Sequence, residues 1–343
     1  MKTALKTCHI SPILSRKAER YRTAEGTLFQ TVRFIDGLLD FLEEHPGFQS
    51  VLSDGQEFIW GDYFEIRPEQ KDQYRKLIED GRIIVGLFFG LCKTFPSSGE
   101  ALIRNLLLGS RVWKALVGKA KEVFITDAFV RISQLPQILR GFGIDTLARF
   151  QTDSEQTERK VYRSTWAGPD GSQIGLISIP GVEVDCTSPD TIESEEGFDE
   201  IEALAKPGLT SFIIRFNVGS DPRALSCLPE MLQNIEKKFT DRCVLCPVEN
   251  VIDEAKKKKN IQSNFDFTEN PFKKYLEAGD IGRDLKDDEA RVLMERYAEP
   301  LNALSVWDGH SSQSVFLRRA WQQFLKCYAL YGHISSQELK TGF

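Results

Sequence analysis

The chain has 343 residues, of which 41% are hydrophobic and 27% are charged, and its formal net charge is −6. This length suits one large packed domain or two ordinary ones. Lysine and arginine are dispersed in a net acidic chain, which argues against nucleic acid and anionic membranes as partners. No apolar run approaches the roughly 18 residues that a membrane span needs, and the N-terminus lacks a signal-peptide core. A soluble, cytoplasmic protein is therefore predicted.

The seven cysteines are scattered and form no disulfide framework, which is typical of free thiols in a reducing compartment. Cys243 and Cys246 form one C-x-x-C. A structural zinc site would need a second such pair, which the sequence lacks. A redox motif would need a helix to open there, whereas Val244 and Leu245 are typical of a strand. These two residues are therefore predicted to be ordinary strand cysteines.

Predicted strands and helices alternate along the first 260 residues, which indicates βαβ units and a parallel sheet. One hairpin, at about 160–180, interrupts the alternation. The predicted fold class is α/β, with a seven-stranded parallel βα barrel-like domain over residues 1–260. After a linker, a helical hairpin or bundle segment is predicted over residues 285–343. The predicted strands cover 5–10, 50–53, 82–89, 123–125, 146–150, 210–216 and 243–246; the main helices cover 27–45, 68–80, 100–117, 135–139, 223–239 and 248–259.

The stretch from Glu122 to Asp145 organises this pattern. A buried strand is predicted at Val123–Ile125, and Asp127 follows it just before a helix. Catalytic groups of parallel sheets and barrels lie at the carboxyl ends of strands. Asp127 could equally be a helix N-cap, because aspartate is common at that position. The βα unit alone leaves both interpretations open.

Several stretches share an order and spacing with a known family: SDGQEFIWGDYFEIRPEQ, GEALIRNLLLGSR, FITDAF, QLPQILRGFGID, STWAGPDGS, LPEMLQNI and MERYAEPLNAL. Together they resemble glycoside hydrolase family 38, the retaining α-mannosidases, and most closely its bacterial mannosylglycerate-hydrolase branch. The resemblance implies a seven-stranded βα barrel-like domain followed by a helical bundle. The larger β-rich C-terminal domains of that family have no counterpart here, so a partner chain that supplies them is a further expectation.

The resemblance also implies a zinc ion that grips the hydroxyls of a carbohydrate ligand. His9 matches the first zinc ligand, although Ser11 stands where the family has an aspartate. Asp127 matches the ligand that is also the nucleophile, and His333 matches a histidine of the helical bundle. Residues i and i+2 of a strand face one way, so positions 9 and 11 would face the site together.

Other site positions depart from the family pattern. Lys93 falls where the family has an acidic pair, and Arg131 replaces part of the motif after the nucleophile. Asp221 lies one residue late for the general acid. Asp54, after the second strand, could line the substrate pocket or serve a turn. Two added cations would weaken zinc binding by repulsion, or would pair with Asp127 and keep it ionised.

Three hypotheses follow. The first is an active glycosidase on α-mannosides, with Asp127 as nucleophile, Asp221 as acid and His9, Asp127 and His333 as zinc ligands. The second is a non-catalytic relative that binds a carbohydrate or an anionic ligand. The third is a repurposed enzyme in which Lys93, Arg131 and Asp127 perform metal-free chemistry. Fold alone does not separate them.

Overall fold

The computed structural model of the protein describes residues 8–16, 24–48, 51–53, 57–90, 99–117, 123–126, 133–151, 161–186, 201, 211–218, 222–239, 243–257, 292–307 and 311–328. Its strands are β1 (Cys8–Arg16), β2 (Val51–Ser53), β3 (Ile83–Val85), β4 (Val123–Thr126), β5 (Thr146–Gln151), β6 (Tyr162–Ala167), β7 (Gln173–Cys186), β8 (Ser211–Val218) and β9 (Cys243–Leu245). Its α-helices are α1 (Ala24–Glu44), α2 (Glu57–Ile66), α3 (Lys71–Glu79), α4 (Gly99–Val117), α5 (Leu135–Gly141), α6 (Leu228–Phe239), α7 (Val248–Lys256), α8 (Glu299–Trp307) and α9 (Ser311–Tyr328).

The described strands form one mixed sheet. Its main path runs β3-β2-β1-β8-β7-β5-β4, and every neighbouring pair along this path is parallel. Strand β6 pairs antiparallel with β7, and β9 adds parallel pairing to β1. The α/β class is therefore confirmed. In the described part of the chain, β3 and β4 lie at the two ends of the strand order and are not paired with each other. The described strands therefore do not show the closed seven-stranded barrel that was predicted.

Two strands extend beyond their predicted ends. The first was predicted over residues 5–10, whereas β1 continues to Arg16 through Pro12, which pairs with Ile214. The prediction of a strand ending near His9 is therefore wrong. The hairpin strand predicted to end at Ile179 continues through Pro180 and Gly181 as β7. Proline and glycine usually end strands, but here they mark the point where β7 changes its partner from β5 to β8.

The sheet has two buried faces. On the outer face, Phe212, Ile214 and Phe216 of β8 share a core cluster with helices α1, α2 and α6. On the inner face, Ile213 of the same strand packs in a second cluster with residues of β3, β5 and β7 and with α7. Burial on both faces is typical of a parallel sheet and explains the continuous apolar strands.

The last two helices pack on this core. Trp321, Phe324 and Leu325 of α9 are buried in the outer cluster, and the guanidinium of Arg104 in α4 lies 5.7 Å from the Trp321 ring centroid. A π-helical turn, Met294–Ala298, leads into α8. Residues 258–291 lie outside the described part of the chain, so the predicted division into domains stays a prediction. None of the helices in the described ranges is long and apolar enough to cross a membrane.

A close backbone contact positions the segment after β3. Gly109 of α4 lies so near this segment that a Cβ atom would come 1.9 Å from the carbonyl oxygen of Leu87. The buried Asn105 side chain binds Gly90 twice: its amide donates to the Gly90 carbonyl at 2.7 Å, and its oxygen accepts from the Gly90 N–H at 3.1 Å. The carboxyl-end segment of β3 is therefore fixed against α4.

Gly109→Ala is expected to destabilise the fold. The added methyl group would meet backbone, which cannot move aside as a side chain does, and overpacking of this kind costs about 1–3 kcal/mol. Gly61→Ala in α2 is the matched control, because nothing lies within 4 Å of its Cβ position and alanine favours a helix by roughly 0.5–1 kcal/mol. Urea denaturation should give free energies of unfolding that change in opposite directions. Equal changes in the two variants would contradict the contact.

Candidate functional site

The strands end at different levels along the carboxyl edge of the sheet, so this edge has a low part and a high part that together form a step. Thr126 ends β4 and pairs with Arg149, which pairs with Ser178 of β7. Ser178 lies three residues before Gly181, which is level with Ile213 and hence with Ser11. The end of β4 is therefore level with Cys8, three residues before Ser11.

Two more strands end two residues further along, level with Ile10. The last residue of β9, Leu245, pairs with Ile10, and the last residue of β5, Gln151, pairs with Pro180 just before Gly181. Strands β1 and β8 continue together to Arg16 and Val218. Position 9 therefore lies close to the level at which β4, β5 and β9 end, although it is far from the end of its own strand.

Position 9 has two neighbours in the sheet that differ in their exposure to solvent. In the register of the sheet it pairs with Ser211 of β8 and with Val244 of β9. Ser211 is completely buried, whereas the side chain of Val244 is 49% exposed. Residues that are paired across parallel strands project from the same face. The inner face at this level is thus closed toward β8 and open to solvent toward β9.

The register alone does not bring the predicted zinc ligands together. Four strand spacings of about 4.8 Å separate β4 from β1, or about 19 Å across a flat sheet, whereas zinc–ligand distances are about 2 Å. Among the side chains that the structure describes, no group of three His, Cys, Asp or Glu residues could hold a metal ion. Most of the predicted site lies outside the described residues: Asp54, Lys93, Asp127, Arg131, Asp221 and His333, together with the side chains of His9 and Ser11. Their convergence stays a prediction.

Arg149 is a buried cation that the sequence analysis missed. It is 8% exposed, its Nε donates to Ser178 Oγ at 2.8 Å, and it is paired with Thr126. A buried guanidinium needs compensation by polar or acidic groups. Because Ala148 and Phe150 pack in the inner cluster with Ile213, Arg149 projects from the opposite face and not toward position 9. The arginine in the otherwise apolar strand sequence TLARFQ is the signal that could have identified it.

A second glycine contact positions the segment after β8. Gly37 of α1 faces Pro222, and a Cβ atom at residue 37 would lie 2.5 Å from the Cβ of Pro222. Pro222 opens the 3-10 helix Pro222–Cys227 and directly follows Asp221. The close packing of α1 therefore holds the backbone immediately after the predicted acid.

A separate cleft of about 560 Å³ opens on the outer face. It is lined by the end of α1, by α6 and by Leu245, Cys246 and Pro247. Within it, His45 stacks on Phe41 at 4.6 Å between ring centroids, and its Nδ1 lies 3.0 Å from the Phe41 carbonyl oxygen. Burial, with a smaller effect from Glu249 and Glu254, raises the pKa of Cys246 to about 11. A thiol of this kind is a weak nucleophile.

Comparisons with known proteins agree with this fold. Residues 8–267 match the family model described as Glycosyl hydrolases family 38 N-terminal domain. A putative mannosylglycerate hydrolase of Halalkalibacterium halodurans is 34% identical over 184 residues, or 50% of this chain and 20% of that protein. Alpha-mannosidase G of Dictyostelium discoideum is 31% identical over 44% of this chain and 14% of its own length. A family 38 glycosyl hydrolase structure from Enterococcus faecalis has a similar fold, with a TM-score of 0.66 at 17% identity, and the alignment covers 99% of this chain and 38% of that one. This chain thus spans less than two fifths of the length of each.

Alkylation should test the environment of Cys246. Because its pKa is about 11 in the folded protein against a usual 9.0, about a hundredfold less thiolate is expected near pH 8 than in the unfolded chain. Iodoacetamide labelling of Cys246, followed by peptide mass spectrometry, should therefore be slow in buffer and fast in urea. The raised pKa contributes stability that is fully present below about pH 9 and is lost as the pH rises toward 11. Fast labelling of the folded protein at pH 8 would contradict the burial of this thiol.

Proposed function

The chain belongs to glycosyl hydrolases family 38, and on that basis we propose that it is a retaining α-mannosidase-like glycoside hydrolase. The observation that carries the proposal is the step in the sheet: position 9 lies one residue beyond the level of Thr126, the last residue of β4, which Asp127 follows. These are the positions that match a zinc-ligand histidine and the nucleophile in the family pattern. The names of the relatives suggest mannosides as substrates, and mannosylglycerate in particular.

In the proposed reaction Asp127 attacks the anomeric carbon while the bond to the leaving oxygen breaks, and an acid protonates that oxygen. Asp221 is the proposed acid. Water then attacks the glycosyl–Asp127 ester, and Asp221, now acting as a base, accepts the proton from this water. The configuration of the sugar is therefore retained. The contact of Gly37 with Pro222 supports this role for Asp221, because it fixes the backbone next to the acid.

The proposed zinc ligands are His9, Asp127 and His333. Three protein ligands with an open position suit a catalytic zinc ion, and the buried hydroxyl of Ser211 next to position 9 fits a group that orients a metal-binding histidine. Zinc, when bound, would orient and polarise sugar hydroxyls. Ser11, in place of an aspartate, would leave the site with one charge fewer than the family pattern.

Arg149 is proposed to have a structural role and not to act on Asp127. Its neighbours Ala148 and Phe150 pack in the inner cluster with Ile213, so alternation along β5 puts Arg149 on the opposite face, where its Nε donates to Ser178 Oγ at 2.8 Å.

One described cation, Arg215, also favours a second candidate function, the binding of an anionic carbohydrate without hydrolysis. Arg215 of β8 is half-buried, and alternation along the strand puts it on the same face as Ile213. With the predicted Lys93 and Arg131, the site would have more positive charge than zinc favours. A carboxylate-bearing sugar would suit such a site.

Three expectations from the sequence stay predictions. One is closure of the seven parallel strands into a barrel, for which the continuous inner cluster from β3 to β5 is the support. Another is a partner chain that supplies the C-terminal domains of the family. The exposed apolar side chains of Leu293, Tyr297, Leu301 and Leu304 belong to the surface that such a chain could cover. The third is a cytoplasmic location.

Asp127→Asn is expected to abolish hydrolysis of an aryl α-mannoside, with kcat falling on the order of 10³-fold or more, because an amide cannot form the glycosyl ester. Asp145→Asn is the matched control, since Asp145 is exposed and its Oδ1 accepts a hydrogen bond from the neighbouring Thr146 Oγ1 at 2.9 Å. Steady-state assays of both variants test the nucleophile. If wild-type protein binds mannosylglycerate but turns over no mannoside, the second candidate function replaces the first.

Loss of a proposed zinc ligand should weaken zinc binding. His333→Ala is expected to lower zinc affinity by more than the roughly 10–100-fold that is typical of outer-shell changes. His310→Ala, which removes a histidine outside the family motif, should leave the affinity unchanged. Titration against a zinc-buffering chelator measures both variants. Equal affinities of the wild-type protein and the His333 variant would remove His333 from the proposed site.

A further inference from the structure

The cleft on the outer face has the size of a small-molecule site, and the proposed function makes no use of it. Its volume of about 560 Å³ falls within the roughly 300–1,000 Å³ that is usual for such sites. The buried rings of Phe41 and Phe48 contribute to its lining, together with the half-buried side chains of Leu232 and Leu245. A lining of this kind indicates a ligand with an apolar body.

The wall of the cleft at the end of α1 is fixed by the protein itself. The guanidinium of Arg82 donates three hydrogen bonds to backbone carbonyl oxygens in this wall. The acceptors are those of Leu42 at 2.6 Å, His45 at 2.8 Å and Phe48 at 3.0 Å. Three prolines, whose rings fix the backbone angle φ, also belong to the lining: Pro46, Pro229 and Pro247. Because a preformed site loses little conformational entropy on binding, even a small ligand can bind here.

The electrostatic surroundings of the cleft are negative. Glu44 of α1 and Glu236 of α6 both line it, whereas its described lining includes no lysine or arginine. Burial is the main reason why the pKa of Cys246, a lining thiol, is raised, and the carboxylates of Glu249 and Glu254 raise it further. Negative charge is therefore felt inside the cleft as well as at its edge, which favours a cationic ligand.

His45 adds a hydrogen-bond acceptor to the lining. Its ring stacks on Phe41, with 4.6 Å between the centroids, and its Nδ1 lies 3.0 Å from the Phe41 carbonyl oxygen. A carbonyl oxygen can only accept a hydrogen bond, so Nδ1 carries the proton in this contact. The Nε2 atom of the neutral imidazole is then an acceptor, which suits a ligand with an N–H donor.

We propose that this cleft binds a small organic cation, an ammonium group attached to an aromatic or aliphatic body. The ammonium group pairs with the carboxylates of Glu44 and Glu236, and the body packs on the apolar lining. Because ion pairs with exposed carboxylates are weak, burial of the body supplies most of the affinity. The proposal uses no residue of the predicted catalytic site, so it does not depend on the proposed function.

Three probes of similar size and different charge test the proposal on the full chain. They are 2-phenylethylamine, a cation near pH 7, neutral 2-phenylethanol and anionic 3-phenylpropanoate. Titrations followed by ligand-observed NMR should show saturable binding of the amine, with a Kd on the order of 1 mM or lower. The alcohol should bind about three- to tenfold more weakly, and the anion more weakly still. Equal affinities for the amine and the alcohol, or no saturable binding of the amine, would overturn the proposal.

Matched variants locate the bound amine. Glu44→Gln combined with Glu236→Gln removes both lining carboxylates and should weaken binding of the amine about three- to tenfold, with no change for the alcohol. Glu43→Gln combined with Glu230→Gln is the control, because these exposed residues lie on the same two helices outside the lining. It removes the same charge and should leave both affinities unchanged.

A steric variant completes the test. Leu232→Trp fills part of the cleft and should abolish binding of the amine and the alcohol alike. All four carboxylates in the charge variants are exposed, so these variants are expected to keep the Tm of the wild-type protein and remain decisive if Leu232→Trp does not fold. Equal losses in the two double variants, or binding that survives in a folded Leu232→Trp protein, would overturn the proposal.

Discussion

The pairing of β1 with β8 is the constraint on which the rest of the structure depends. Eight consecutive residue pairs join His9–Arg16 to Ser211–Val218, across about 200 intervening positions. Closing so long a loop has an entropic cost that must be met by contacts formed at once along both strands. The burial of Phe212, Ile213, Ile214 and Phe216 on alternate faces provides these contacts.

This pairing also determines where a site can form. Because β1 and β8 extend beyond the ends of β4, β5 and β9, and β2, β3 and β7 also end level with Arg16, the low part of the carboxyl edge is bordered by a wall of five strands. From His9 to Arg16 the wall extends seven residues, or about 23 Å at the usual rise of a strand. Any ligand at the end of β4 therefore approaches beside this wall, and both sides of the wall carry buried apolar side chains at its base.

Much of the fold could be predicted from local sequence. The hairpin, α4 and α5 have their signals within their own residues: apolar periodicity, together with the Gly-Pro-Asp-Gly turn and the glycines that end a helix. Gly143 indeed has a positive φ of 77°, the conformation that glycine tolerates best. The ends of β1 and β7 were mispredicted because their continuation depends on β8, a distant partner that makes Pro12 and Pro180 acceptable inside strands.

The candidate site was less predictable for a similar reason. The role of Asp127 can be suggested from a strand that ends before an aspartate, whereas the burial of Arg149 depends on Ser178 of the neighbouring strand β7. Ser211 is an ordinary serine in the sequence, and only its register with position 9 distinguishes it. Patterns in a single sequence identify residues at the ends of helices and strands. They do not identify residues whose role depends on the strand that lies beside them.

The contact between Gly37 and Pro222 has a consequence for how this protein can evolve. Because not even one methyl group has space at residue 37, no series of small substitutions is open to it. Any residue other than glycine would displace α1 from Pro222. Adaptation to a new ligand near residue 221 would therefore have to arise without a shift of the backbone at Pro222. The helix behind Pro222 acts as a fixed reference for any such change.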